Sequence, residues 1–150
     1  MRILNFESFR KAKEKLEEKN QFQIIKNSLN DEKLILEQHN HTDSKKLILN
    51  YFLEEGWAYH PQIFPGKPSY LDLLSNKTLL HVQFGHNAQI YYNFLAASSM
   101  YHNNQIDVGV VVVPGGEYSY GNRVNFDKIT DQYQYFSSFL LLPILIVEVE

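Results

Sequence analysis

The chain has no cysteine among its 150 residues. Disulfides and thiolate metal sites are therefore excluded, and a reducing compartment fits. No apolar run approaches the roughly 20 residues needed to cross a bilayer. The opening MRILNFESFRKAKEK lacks the apolar segment of a secretory signal. A cytoplasmic protein with no membrane partner is expected. No P-loop, GxGxxG, HExxH or GxSxG word occurs, and there is no internal repeat or low-complexity segment. An excess of positive charge is missing too. Lys and Arg number 14 against 17 Asp and Glu, giving −3 overall and no gross electrostatic footprint for nucleic acid. The charge is uneven, with 10 basic against 8 acidic residues in 1–50 and 4 against 9 in 51–150. A cleft that binds DNA within an acidic exterior, or holds a metal on carboxylates, agrees with this balance as well as any other reading.

What is present is ordinary for a folded chain: 44% hydrophobic and 21% charged residues, with ten Tyr and ten Phe. The length predicts one domain over 1–150 with a substantial core. Residues 5–38 read as helical from Phe6, Phe9, Leu16, Phe22, Ile24, Ile25 and Leu29, with a break near Lys19 and Asn20. Asn5 or Ser8 is the expected cap. The basic run Arg10 to Lys15 reads as a solvated helix face, with phosphate contact as the other reading. Gln38 to Thr42 reads as a polar loop carrying the surface histidines His39 and His41. Thr42 or Asp43 is expected to cap a helix running to Glu55, with Leu47, Ile48, Tyr51 and Phe52 at helical spacing. Gly56 stops it. Glu54 and Glu55 are expected to cap a solvated helix end.

Trp57 to Phe64 is predicted as a strand, followed by a break at Pro65-Gly66-Lys67-Pro68. Two further strands follow, Tyr70–Leu74 and Thr78–Phe84, with a turn at Ser75 to Thr78. A helix is expected from Asn87 to Tyr101, closed by Asn103 and Asn104. Ile106 to Val113 is apolar throughout, which suits a strand covered on both faces in the middle of a sheet. Phe126 to Phe139 is expected as a helix capped by Asn125 or Asp127. A final strand is expected after Pro143. The order αβββαβ emerges, a mixed sheet flanked by helices with extra N-terminal helices.

Alternation along the Thr78 strand puts Leu80, Val82 and Phe84 on one face and His81 and Gln83 on the other. If Leu74 pairs with Leu79, Asp72 lies opposite His81, close enough for side chains to interact. A carboxylate, an imidazole and an amide thus share one polar patch between leucines. The plainest account of it is a cross-strand polar pair without a metal.

The spacing Asp72, eight residues, His81, one residue, Gln83 resembles the metal-site pattern of the PD-(D/E)XK nucleases. The words His81-Val82-Gln83-Phe84-Gly85 and Ile106-Asp107-Val108-Gly109-Val110, with a helix between, resemble the branch containing the BglII and BstYI restriction endonucleases. That branch reads Glu-Val-Gln-Phe where this chain has His81. The resemblance runs from about Phe52 to the C-terminus and implies a nuclease-like core over 42–150 after an N-terminal helical part, 1–41.

The resemblance implies metal-dependent hydrolysis of double-stranded DNA at a short specific site, with Mg²⁺ as cofactor. Asp72, His81 and Gln83 take the catalytic positions, and Asp72, His81 and the Val82 carbonyl the metal positions. His81 brings no negative charge, and imidazole suits softer metals than Mg²⁺. Three readings stay open. The site works with His81 as ligand (Mn²⁺ or a softer ion then being possible) or as general base. The site is silent and the protein only binds DNA. Or the histidine was introduced to disable an active parent. The resemblance also implies base contacts from His86, Asn87, Asn122 and Arg123, a homodimer or a partner nuclease subunit, and Asp107 held by a neighbouring helix or loop. Tyr118-Ser119-Tyr120 either touches DNA or covers the core. A non-nucleic-acid binding module is the remaining alternative.

Overall fold

A computed structural model describes residues 1–36, 40–63, 66, 70–115 and 123–150. Its strands are β1 (Ile3–Phe9), β2 (Ala58–Tyr59), β3 (Leu73–Ser75), β4 (Thr78–Val82), β5 (Val108–Pro114) and β6 (Ile144–Val149). Its helices are α1 (Ala12–Glu18), α2 (Phe22–Leu29), α3 (His41–Glu54), α4 (Gln89–His102) and α5 (Phe126–Phe136). The strands form one mixed sheet in the order β1-β6-β5-β4-β3-β2. The expected α/β core, αβββαβ from α3 to β5, is there.

The uninterrupted apolar run of β5 explains its place. It is flanked by β4 and β6, both parallel to it, and buried throughout. Its two faces serve two cores. Val108, Val110 and Val112 pack with Leu80, Val82, Leu145 and Val147 beneath α1, α2 and α3. Val111 and Val113 pack with Leu79, Ile144 and Ile146 beneath α4 and α5. Parallel strands buried on both faces need such continuous apolar sequence.

The N-terminus departs from expectation. Residues 3–9 are an edge strand antiparallel to β6, not the start of a helix. Leu4 and Phe6 are exposed on that edge. The pairing joins residues about 140 apart in sequence, so no local pattern announces it. Helix begins only at Ala12, where the Ser8 hydroxyl accepts a hydrogen bond from Lys13 N–H at 3.0 Å. Arg10 donates to the Leu140 and Ser137 carbonyls, 2.9 and 2.5 Å away, so it fastens the end of α5 instead of lining a solvated helix.

Other boundaries shift by a few residues. Asn40 rather than Thr42 or Asp43 caps α3, accepting from Asp43 N–H at 3.2 Å. That brings His41 into the helix, where it is buried edge-on to the Phe84 ring and is not a surface histidine. The buried face of α3 is His41, Ser44, Ile48, Leu49 and Phe52, with Leu47 and Tyr51 only half-buried. Glu54 and Glu55 are exposed as expected. Gly56, at φ +87°, follows the helix end. The strand expected from Trp57 shrinks to Ala58–Tyr59 plus an isolated bridge between Gln62 and Tyr70, and His60 breaks it at φ 51°. Helix α5 is capped by Asn125 as expected, but ends at Phe136. His39, Phe64, Pro65, Lys67, Pro68, Asn122 and Tyr118-Ser119-Tyr120 lie outside the described residues.

Candidate active site

The β3–β4 hairpin builds the site. Asn76 and Lys77 both have positive φ, 45° and 58°, the conformation of a tight two-residue hairpin turn. The register that results is Leu74 opposite Leu79 and Leu73 opposite Leu80. The N-terminal helices hold this turn. Lys19 reaches both the Asn76 carbonyl at 3.0 Å and the Asp107 carboxylate at 2.7 Å, and Gln21 donates to the Ser75 carbonyl at 3.2 Å. Asp107 is thereby accounted for by a neighbouring helix, as expected.

One step beyond Leu73, Asp72 meets His81. Asp72 Oδ2 is 2.7 Å from His81 Nδ1 and accepts a hydrogen bond from Val82 N–H at 2.8 Å. Asp72 Oδ1 is 2.9 Å from Lys45 Nζ, which descends from the first turns of α3. Asp72, His81 and Gln83 are all less than a tenth exposed. Burial pushes the Asp72 carboxyl up, but the His81 ring and the Lys45 ammonium outweigh it and hold the group well below the usual carboxylate range.

The far side of the imidazole is also engaged. His81 Nε2 is 2.8 Å from both Gln83 Oε1 and Asn93 Nδ2, and Asn93 Nδ2 donates to Gln83 Oε1 at 2.5 Å. The neutral ring accepts from Asn93 and the protonated ring donates to Gln83, so either state finds a partner. Gln83 Nε2 differs: it is buried without a hydrogen-bond partner among the described residues. A buried amide N–H without a protein partner commonly takes a bound water or ligand oxygen.

These groups border an open cleft of about 450 Å³, whose walls include Tyr70, Gly85, Gln89 and Tyr92. The cleft lies beyond the carboxyl end of β4, next to parallel β5, where ligands bind in open α/β sheets. Sequence reasoning brought Asp72, His81 and Gln83 together and missed Lys45 and Asn93. Both carried a signal. Lys45 stands three and four residues before Ile48 and Leu49, on the buried face of α3. Asn93 interrupts the apolar stripe Ile90, Phe94, Ala97.

The expected DNA-contacting positions are partly assembled. His86 and Arg123 pair in an isolated antiparallel bridge, so the loop after β4 and the segment before α5 adjoin. Arg123 Nη1 donates to the Phe84 carbonyl at 3.4 Å. His86 Nδ1 accepts from Ala88 N–H at 3.2 Å and the half-buried Asn87 carbonyl from Ile90 N–H at 3.1 Å, so both also shape the start of α4.

The family model described as restriction endonuclease BglII/BglIII matches residues 4–149. The chain belongs to that family. Type II restriction-endonuclease-like DNA cleavage is the function that goes with it, ahead of a silent DNA-binding relative. Among solved structures, the crystal structure of restriction endonuclease BGLII complexed with a DNA 16-mer has TM-score 0.80 and 15% identity. The match covers 100% of this chain and 78% of that one, which shows a shared fold. No curated protein matches. No helix among the described residues is long and apolar enough to cross a membrane.

Members of this family generally use a divalent metal. Among the described residues, no group of three or more His, Cys, Asp or Glu side chains could hold one. The donors gathered at Asp72 are one carboxylate, one imidazole and the Val82 carbonyl. That carbonyl faces the same side as Val82 N–H, towards Asp72, while Gln83 N–H turns to Val112. Mg²⁺ is commonly bound by one or two carboxylates with waters and substrate phosphates completing the shell. Both ring nitrogens of His81 are engaged in hydrogen bonds, so the oxygens of Asp72 and Val82 are the donors that would fit a single divalent ion.

Proposed function

We propose that this chain hydrolyses phosphodiester bonds of double-stranded DNA at a short specific site, with a divalent metal at Asp72. The observation that carries this reading is the Asp72, His81, Gln83 cluster at the mouth of the β4 cleft in a BglII-family chain. In the reaction a water oxygen attacks phosphorus in line, the bond to the leaving oxygen breaks, and that oxygen takes a proton.

Asp72 and the Val82 carbonyl would hold the ion, and His81, in the place of the family's second carboxylate, would orient Asp72 through a hydrogen bond to Oδ2. The ion, when bound, supplies Lewis-acid stabilisation of phosphoryl charge and a more acidic water. The protein's own part is orientation. Val82 N–H and His81 fix Asp72 Oδ2, Asn93 fixes the His81 ring, and Gln83 Nε2 offers its unpaired N–H to a phosphate or water oxygen. Mg²⁺ or Mn²⁺ suits the oxygen donors.

Arg123, His86 and Asn87, with Asn122 beyond the described residues, are proposed to face base edges, where Arg suits guanine and Asn adenine. A homodimer cuts both strands. Its contact is proposed at α4 and the end of α5, where Tyr91, Leu95 and Phe139 are exposed around an apolar groove of about 290 Å³. The place of action is the cytoplasm, with the DNA.

The test is plasmid cleavage by the chain and by His81→Glu in Mg²⁺, Mn²⁺ and Zn²⁺. Discrete fragments from the chain itself support the reading with His81 in the carboxylate's place. Cutting by His81→Glu alone would mean the histidine silences an endonuclease fold. Absence of cutting and of duplex binding by both sinks the reading.

A further inference from the structure

The cleft over β4 already contains a cation that the proposed chemistry does not use. Lys45 Nζ sits 2.9 Å from Asp72 Oδ1, at the oxygen an incoming metal needs. The two oxygens of Asp72 are held in different ways. Oδ2 is fixed by the Val82 backbone and the His81 ring, both buried. Oδ1 is held by a flexible side chain about one-third exposed at the rim of the cleft. Lysine carries a compact, strongly hydrated charge on a four-carbon stem, suited to changing partners.

The electrostatics set the condition for that change. Among the described residues lining this cleft, Asp72 is the one acidic and Lys45 the one Lys or Arg side chain, so the pair cancels. A divalent ion arriving while Lys45 stays in place meets a like charge within a few ångströms. A DNA phosphate gives the ammonium another anionic partner and frees Oδ1, while Asp72 stays anchored through Oδ2.

We propose that Lys45 is an exchangeable counter-ion: it holds Asp72 Oδ1 in the DNA-free protein and passes to a DNA phosphate as a divalent metal takes its place. The inference rests on the metal-dependent reading of this site. Metal and duplex then load together, each tightening the other by the same factor. In the free protein Asp72 is covered, so metal alone binds poorly.

The experiment measures Mn²⁺ affinity by titration calorimetry, and free Mn²⁺ by its paramagnetic resonance signal. The proteins are the full chain, Lys45→Met and Lys45→Gln, each with and without a duplex made non-cleavable by phosphorothioate substitution. Without DNA, both variants bind Mn²⁺ about tenfold tighter or more than the unaltered chain, the least expected from removing a like charge a few ångströms away. With duplex, the unaltered chain tightens and the gap narrows. Asp72→Asn abolishes the difference. Thermal melts check folding, and Lys45→Gln keeps a hydrogen-bonding head group should Lys45→Met fail to fold. Equal Mn²⁺ affinity in all three DNA-free proteins, or weaker binding by the variants, overturns the exchange and leaves the metal site standing. No Mn²⁺ binding by any of them, with or without duplex, overturns the exchange and the metal-dependent reading together.

Discussion

Asp72 Oδ2 and His81 Nδ1 stand 2.7 Å apart because a two-residue turn at Asn76 and Lys77 sets the register that brings them opposite each other. The pair is structural before it is chemical. It ties the approach to β3 to the end of β4 and is closed on its outer side by Lys45. Whatever binds in the cleft meets this arrangement first.

The Asp72 carboxyl makes stability pH-dependent in a defined sense. Its folded pKa is lowered, so it stabilises the fold above the unfolded carboxylate value, near about 3.9, and that contribution is lost as pH falls through the folded value. Asp72→Asn should therefore cost about 2 kcal/mol or more at pH 7, with the difference shrinking below about pH 4. Urea unfolding of both proteins across pH 3 to 7 checks this. A pH-independent difference would contradict it.

Asn125→Ala tests a simpler element. The Asn125 side chain accepts from Lys128 N–H at 2.9 Å and opens α5, whose Ile129 and Tyr133 pack beneath the sheet. Loss of the cap should cost about 1 kcal/mol in chemical denaturation, without changing DNA binding.

Much of this site was legible in the sequence, and the reason is local. The register of a hairpin follows from its turn, and side-chain alternation along β4 then separates Leu80 and Val82 from His81 and Gln83. The burial of β5 followed from its unbroken valines. Three things could not be read this way. Strand β1 pairs with β6 from the other end of the chain. Lys45 and Asn93 reach the site from helices whose placement over the sheet is a tertiary fact. Their positions on buried helix faces were the available hint, and an apolar stripe interrupted by Asn93 was the clearer one.

The exposed face of α4 and α5 yields an oligomer prediction. Leu95 is 65% exposed beside the apolar groove that Phe136 and Phe139 also line. If two copies meet there, light scattering should give twice the chain mass, and Leu95→Asp should give the monomer and shift plasmid products from linear to nicked. A monomeric unaltered chain would remove this interface.

Arg123 bridges to His86 and donates to the carbonyl of Phe84, within the His81 word. As a base-reading residue, Arg123→Ala should weaken binding to the preferred site by about 1–3 kcal/mol and relax discrimination there. A phosphate-only role would instead weaken all duplexes alike and reduce the salt dependence. Competition binding with specific and random duplexes at two salt concentrations separates the two.

The most direct measurement is cleavage of one plasmid, with Mg²⁺ and with Mn²⁺, by the chain and by Asp72→Asn, alongside duplex binding by both. Discrete fragments are expected from the chain and none from Asp72→Asn, with duplex binding retained in the variant. Fragments from Asp72→Asn at the rate of the unaltered chain would contradict that expectation, since the chemistry would then lie elsewhere.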